Sequence, residues 1–186
     1  MIELKKYFPN LSQVQLKKFK RLFPIYNDWN SKVNLISRRD IENLFINHIL
    51  HSLSIVNIIK FKDTSSILDV GTGGGFPGIP LAIFFPNVKF TLLDSIGKKI
   101  KVVESVSKDL SLSNVTAINE RVENHFEKYD FILSRVVVKS ALAIADAVVT
   151  ILMYSDCSFG LSIRLRSIVS KTLLFGQTRP YPHPSS

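Results

Sequence analysis

Cysteine is nearly missing from this chain: Cys157 is the only one in 186 residues, and a single thiol excludes an internal disulfide framework. Long apolar runs are missing too. Lys, Asp or Pro interrupts each hydrophobic stretch well short of the roughly 20 residues that a membrane span needs, so no membrane anchor is expected. Nor does Met1-Ile2-Glu3-Leu4-Lys5-Lys6 have the basic-then-apolar order of a secretion signal, which makes a reducing cytoplasm the expected setting. Acids are scarce at both ends. Residues 1–40 carry nine Lys or Arg against Glu3, Asp28 and Asp40, and residues 157–186 carry Arg164, Arg166, Lys171 and Arg179 with no acid. The net charge of +9 is thus unevenly placed, and a polyanionic partner is the natural reading, since Lys and Arg neutralising phosphates supply the sequence-independent part of nucleic-acid affinity. A merely soluble basic surface is the alternative.

What is present fits one domain of globular composition. Ser12 and Gln15 have capping-box spacing. Val14, Leu16, Phe19, Leu22, Phe23 and Tyr26 then recur at near-helical intervals up to a break expected at Asn27-Asp28-Trp29-Asn30. The other face of this helix carries Lys17, Lys18, Lys20 and Arg21. A second helix is expected from Ser37 to about Phe61, with Ile41, Leu44, Phe45, Ile49, Leu53, Val56 and Ile59 as its apolar stripe. Beyond Ser66 the pattern changes to short apolar runs at 67–70, 89–93, 115–119 and 131–134, separated by helical segments. That alternation argues for parallel βαβ units.

The chemistry concentrates in Ile67-Leu68-Asp69-Val70-Gly71-Thr72-Gly73-Gly74-Gly75-Phe76-Pro77-Gly78. Four glycines in five residues after a buried strand allow main-chain amides to approach a ligand, so Gly71, Gly73 and Gly75 are candidate cofactor contacts. Asp94 ends the second strand, 23 residues after Gly71, about where βαβ nucleotide sites place an acid for ribose hydroxyls. A tight turn with Asp94 capping the next helix is the bland alternative, and at a strand end Asp94 is expected to be dispensable for folding. Gly73-x-Gly75-x-x-Gly78 also matches the dinucleotide fingerprint, which keeps an oxidoreductase open. Two features favour S-adenosylmethionine. Asp69 precedes the first glycine by two residues, where methyltransferases commonly keep an acid near the amino end of the cofactor, and Pro77 and Pro80 are expected to interrupt the helix that a pyrophosphate would require.

The run from Asp69 through Gly78-Ile79-Pro80-Leu81-Ala82, with Leu93-Asp94-Ser95-Ile96-Gly97-Lys98-Lys99, Arg121-Val122-Glu123 and Ser134-Arg135, resembles the bacterial small-subunit ribosomal RNA guanine-N7 methyltransferases, also called glucose-inhibited division protein B. Upstream, Trp29-Asn30, Val33-Asn34-Leu35-Ile36-Ser37 and His48-Ile49-Leu50-His51-Ser52-Leu53 fit as well, so the resemblance covers residues 7–150. It implies a Rossmann-like α/β methyltransferase fold with an N-terminal helical cap (1–62), a cofactor-binding core (63–152) and a divergent tail (153–186), forming one monomeric domain. It also implies that Gly71, Gly73 and Phe76 line the S-adenosylmethionine pocket, that Asp94 holds the ribose, and that Val122 and Glu123 flank the adenine. Arg135 would sit beside the site to position cofactor or target base. Phe76 and Val122 as plain core residues, and Glu123 and Arg135 as surface charges, are the alternatives. Small-subunit ribosomal RNA, or the assembling small subunit, would be the partner, met by Lys17, Lys18, Lys20, Arg21, Arg38 and Arg39.

Guanine N7 carries an exposed lone pair, so it can attack a sulfonium methyl without first losing a proton, and rate would come from alignment and charge stabilisation. No general base is required, and none is assigned. The missing motifs agree: Ser134-Arg135-Val136-Val137 stands where exocyclic-amine methyltransferases carry Asn/Asp-Pro-Pro-aromatic, and Cys157 lacks the Pro-Cys context of carbon-5 methylation. His48 and His51 are the nearest acid–base candidates, yet on an apolar helix they read better as packing or RNA-edge residues. No metal site is expected. After Arg135 the pattern suggests a helix over 141–149, and only 51 residues follow Arg135, whereas completing a seven-stranded sheet needs roughly 75. An incomplete sheet is therefore expected at the C-terminal end, and a non-catalytic RNA- or ribosome-binding remnant of the family stays open beside the enzyme.

Overall fold

The computed structural model describes residues 2–136 and 148–153. Its centre is a five-stranded sheet in the order β3-β2-β1-β4-β5, made of β1 (Ser66–Val70), β2 (Lys89–Asp94), β3 (Val115–Asn119), β4 (Phe131–Val136) and β5 (Val148–Met153). The first four strands are parallel, as the alternation of apolar runs predicts. Their order reverses beside β1, which opens a crevice at the carboxyl ends of β1 and β4, where open α/β sheets bind ligands. The helix expected over 141–149 is not found at its end: Val148 and Val149 belong to β5, which runs antiparallel to β4 with Val149 opposite Arg135. Val148-Val149-Thr150-Ile151 is a β-branched run that suits a strand. Residues 141–147 and 154–186 lie outside the described residues.

A helical cap precedes the sheet, built from α1 (Ile2–Tyr7), α2 (Gln13–Lys32), α3 (Arg38–Glu42), a π-helical turn (Phe45–Leu50), α4 (His51–Leu53) and a 3-10 turn (Ser54–Asn57). The capping box forms as expected, Gln15 N donating to Ser12 Oγ (3.2 Å) and Ser12 N to Gln15 Oε1 (2.9 Å). The Gln15 amide also donates to the carbonyls of Ile83 and Phe84, joining the start of α2 to the sheet layer. However, α2 does not break at residues 27–30. It continues to Lys32, supported by the Lys32–Asp28 pair (2.7 Å), while Asn30 Oδ1 accepts from Leu35 N and Ile36 N and folds the following chain back. The single helix expected over 37–61 is also corrected. The buried residues Leu44 and Ile49 are five apart, which fits a π turn, whereas Ile49 and Leu53 are four apart, which fits α, so one continuous helix cannot bury them all.

Between strands, α5 (Gly78–Phe84) joins β1 to β2 and α6 (Gly97–Asp109) joins β2 to β3. Pro80 does not interrupt α5, because in the first turn its missing N–H is not needed. Leu16, Phe19, Leu22 and Tyr26 of α2 pack with Ile79 and Leu81 of α5 and Val102, Val103 and Val106 of α6 over Ile67, Phe90, Leu92 and Leu133 of the sheet. Each such side chain, fully buried, contributes roughly 1.5–3 kcal/mol. The opposite face carries a smaller cluster of Leu68, Leu93 and Ile132, against which Val122 and Tyr129 pack from the 120–130 connection.

Candidate functional site

The glycine loop leaves the carboxyl end of β1 and bends back into α5. Gly75, at φ +97°, could not carry a side chain: a Cβ there would lie 2.6 Å from Ile79 Cγ1. Gly71 and Gly73, at φ +68° and +59°, have no heavy atom within 4 Å of a Cβ position, so their outer side is open to a ligand. The loop is tied from within. Asp69 Oδ2 accepts from Thr72 Oγ1 (2.7 Å) and Gly78 N (2.9 Å), and Gly71 N and Thr72 N donate to Leu93 O. From the cap, Tyr26 donates its hydroxyl to Gly74 O (2.6 Å) and lies 4.8 Å from the Phe76 ring. Tyr26 has no exposed surface, and burial raises its pKa far above the usual value.

Asp94 is buried, not surface-exposed, and its carboxylate bridges two elements: Oδ2 accepts from Gly73 N and Oδ1 from Ile96 N, both at 2.9 Å. Loss of Asp94 would orphan both backbone donors, so folding is expected to survive it only at a cost in stability. Lys99 Nζ stands 3.8 Å from Oδ2, and Asn119 Nδ2 donates to Asp94 O (2.9 Å). Each carboxylate oxygen still has a lone pair for a hydroxyl group.

Asp69 combines burial with an incomplete shell. Its Oδ1 is buried without a partner among the described residues, and burial pushes its pKa up to about 6 despite the Thr72 and Gly78 bonds. A primary ammonium group brought to that oxygen would supply the missing donors and charge. These residues fit a cofactor with a diol and an amino-acid end.

Strand alternation places Arg135 on the sheet face of Asp69 and Leu133. Arg135 Nη1 donates to His48 Nδ1 (3.1 Å), and the guanidinium lies 5.8 Å from the Phe76 ring centroid, with the His48 ring 5.1 Å from the same centroid. His48 is consequently an acceptor; burial first and the Arg135 charge second hold its pKa down to about 4. Burial also lowers the Arg135 pKa, and among the described residues no carboxylate stands at ion-pair distance from it. A half-buried cation is thus fixed beside the loop, with the charges of Asp69 and Asp40 acting on it from beyond ion-pair distance.

The loop residues, Asp69, Asp94 and Arg135 lie together at the carboxyl ends of β1, β2 and β4. Phe76 is buried between Tyr26 and His48, so it supports the loop from below. Val122 is half-buried and Glu123 exposed in a 3-10 turn (Val122–Asn124) beyond β3. Lys17, Lys20 and Arg21 form an exposed stripe on α2, whereas half-buried Lys18 donates to Ser111 O (3.1 Å). That stripe lies one to three turns from Tyr26 toward the opposite end of α2, away from the glycine loop. Arg38 and Arg39 fall in α3, with their side chains outside the described residues. Sequence reasoning missed Tyr26, Thr72 and Asn119 as loop supports and His48 as the partner of Arg135. For Tyr26, a hydroxyl on an otherwise apolar helix face is the signal that could have found it.

The GidB family model, described as rRNA small subunit methyltransferase G, matches residues 15–151. Proteins named ribosomal RNA small subunit methyltransferase G are similar to this chain. The one from Christiangramia forsetii is 60% identical over 134 residues, covering 72% of this chain and 64% of its own length. Those from Bacteroides fragilis and Porphyromonas gingivalis are 54% and 53% identical, covering 74% and 73% of this chain and 67% and 62% of their own. The chain therefore spans about two thirds of the length of these curated relatives.

Proposed function

The chain belongs to the GidB family of small-subunit ribosomal RNA methyltransferases, and from that premise we propose that it transfers the methyl group of S-adenosylmethionine to N7 of a guanine in small-subunit ribosomal RNA. The observation that carries this reading is the Asp94 carboxylate, which bridges Gly73 N and Ile96 N beside the open side of Gly71 and Gly73 and keeps one lone pair on each oxygen for ribose hydroxyls. Asp69 Oδ1 takes the cofactor's ammonium group, and Val122 and Glu123 flank the adenine. S-adenosylmethionine supplies an electrophilic methyl on a sulfonium, which guanine N7 accepts through its free lone pair. The protein need not remove a proton. Its contribution is alignment: a loop tied at Asp69, Asp94 and Tyr26, and an Arg135 held by His48 toward the electron-rich edge of the incoming nucleotide. Lys17, Lys20 and Arg21 meet phosphates farther along the RNA.

The dinucleotide alternative loses support at the start of α5. There the Gly78 N–H that a pyrophosphate would use already donates to buried Asp69, Pro80 has no N–H to offer, and the carboxylate itself repels an anion. We read residues 1–62 and 63–152 as cap and core of a single, monomeric, cytoplasmic domain. The deciding experiment is transfer of labelled methyl from S-adenosylmethionine to small-subunit ribosomal RNA, naked and in assembling particles, with the modified base mapped. Label at guanine N7 supports the reading. RNA binding without transfer favours a non-catalytic family remnant, and retention of a nicotinamide cofactor overturns it.

A further inference from the structure

The connection from β3 to β4, residues 120–130, crosses the smaller sheet face without a helix, although it carries the turn assigned above to the adenine. A three-residue 3-10 turn has weak internal hydrogen bonding, and Val122 is only half-buried. His125 supplies what the turn lacks. Its ring is 7% exposed and bonded at both nitrogens: Nδ1 to Glu120 Oε2 and Nε2 to Tyr129 Oη, each 2.9 Å. Tyr129 Oη in turn donates to Glu127 Oε2 (2.9 Å), bonds with the Thr91 side chain of β2, and its ring stacks on His125 with centroids 5.7 Å apart. On the main chain, His125 N donates to Val122 O (3.1 Å) and Asn124 N to Arg121 O (2.9 Å), so the buried ring and the turn move as one piece.

The directions of these bonds are fixed by chemistry. Both carboxylates only accept, so Glu120 takes a proton from Nδ1–H and Glu127 takes the tyrosine hydroxyl hydrogen. Tyr129 Oη and the second ring nitrogen share the remaining bond, at 2.9 Å. The groups facing His125 are Glu120 from the end of β3, Glu127 and Tyr129 from its own connection, and Thr91, through Tyr129, from β2. The site already described uses none of them.

We propose that His125 is a positioning residue for the adenine end of the cofactor, acting through the Val122–Asn124 turn; the inference rests on the S-adenosylmethionine reading above. The test compares the full chain with His125→Phe, which keeps a ring but loses both bonds, and His125→Gln, which restores one donor and one acceptor. S-adenosylhomocysteine affinity is measured by calorimetry. Amide exchange at residues 124 and 125 and in β1 is measured alongside. The expected result is a loss of affinity of about tenfold in His125→Phe, partial rescue in His125→Gln, and faster exchange in the turn with β1 unchanged. Parent-like affinity in a folded His125→Phe overturns this inference alone. A parent that binds no S-adenosylhomocysteine overturns the cofactor reading, and this inference with it.

Discussion

Replacing Asp94 by Ala perturbs folding and ligand binding together, and the structure separates the two. The carboxylate is 6% exposed and accepts from Gly73 N and Ile96 N. With no side-chain acceptor, two inward-facing N–H groups lose their partners, each at roughly 1–3 kcal/mol if water cannot reach them. Partial entry of water and relief of a buried charge offset some of this, leaving a stability loss of about 2–4 kcal/mol. For a domain of this size that lowers Tm by about 5–15 °C, large enough to read and too small to abolish folding. The ligand side is separate: two ribose hydroxyl bonds to a charged acceptor are each worth on the order of 1.5–3 kcal/mol, so S-adenosylhomocysteine affinity should fall at least about tenfold. RNA affinity, which the proposed function assigns to Lys17, Lys20 and Arg21, should persist. Asp94→Asn keeps one acceptor but turns an NH2 group toward a backbone N–H, so it should bind the cofactor no better than Ala while melting closer to the parent. Calorimetry, RNA anisotropy and thermal melts on the three proteins give the comparison. An Asp94→Ala protein that binds S-adenosylhomocysteine like the parent would show that the pocket is misplaced.

Asp69→Asn can keep both bonds through one amide oxygen while removing a buried charge. Because the carboxyl pKa is pushed up to about 6 in the folded state from about 3.8, the parent loses stability as pH rises from about 4 to about 6, on the order of 2–3 kcal/mol in all. Urea melts across pH should show the variant without that decline yet weaker for the cofactor, and an equal decline in both proteins would reject the assignment. Neutralising Lys17, Lys20 and Arg21 together should flatten the salt dependence of RNA binding by about two to three units of log–log slope, and an unchanged slope would return the stripe to a solvated face. Arg135→Ala removes a half-buried cation without a carboxylate partner among the described residues. Tm should change little while single-turnover methyl transfer falls about a hundredfold; a large Tm loss with parent-like transfer would make Arg135 structural.

The strands were legible because β-branched and apolar bursts ended at turn residues, and the loop because Gly71-Thr72-Gly73-Gly74-Gly75 suits few other conformations. Asp94 was legible through its spacing from that loop. What stayed hidden depends on contacts between distant residues. The Tyr26–Gly74 bond spans 48 positions and the His48–Arg135 bond 87, and neither partner carries a local mark of the other. The misread break at 27–30 has a similar cause: Asn30 looked like a helix stop, yet its side chain caps the chain beyond the helix. The π turn was concealed because a stripe of apolar residues reads as helical unless the five-residue step from Leu44 to Ile49 is weighed. Val148 and Val149 followed an apolar pattern compatible with helix or strand, and pairing with Arg135 and Val136 decided it.

The cap is therefore part of the site and cannot be treated as an addition to it. Tyr26 from α2 fixes the Gly74 carbonyl and abuts Phe76, the Phe76 ring meets His48 from the π turn, and His48 holds Arg135 at the end of β4. This chain of contacts circles from cap to core around the loop, so a disturbance in α2 reaches both the glycine loop and Arg135. Such coupling suits a reaction in which the nucleophile needs no base. If the proposed transfer to guanine N7 is the reaction, proton transfer contributes nothing and rate comes from the distance and angle between N7 and the sulfonium methyl, which depend on how rigidly two surfaces are held. The loop that bears one surface is fixed by Asp69, Asp94 and Tyr26, and the cation beside the other is fixed by a histidine that burial and Arg135 itself keep neutral at physiological pH. Loosening either anchor should lower turnover more than it lowers affinity, because binding tolerates small displacements that in-line transfer does not.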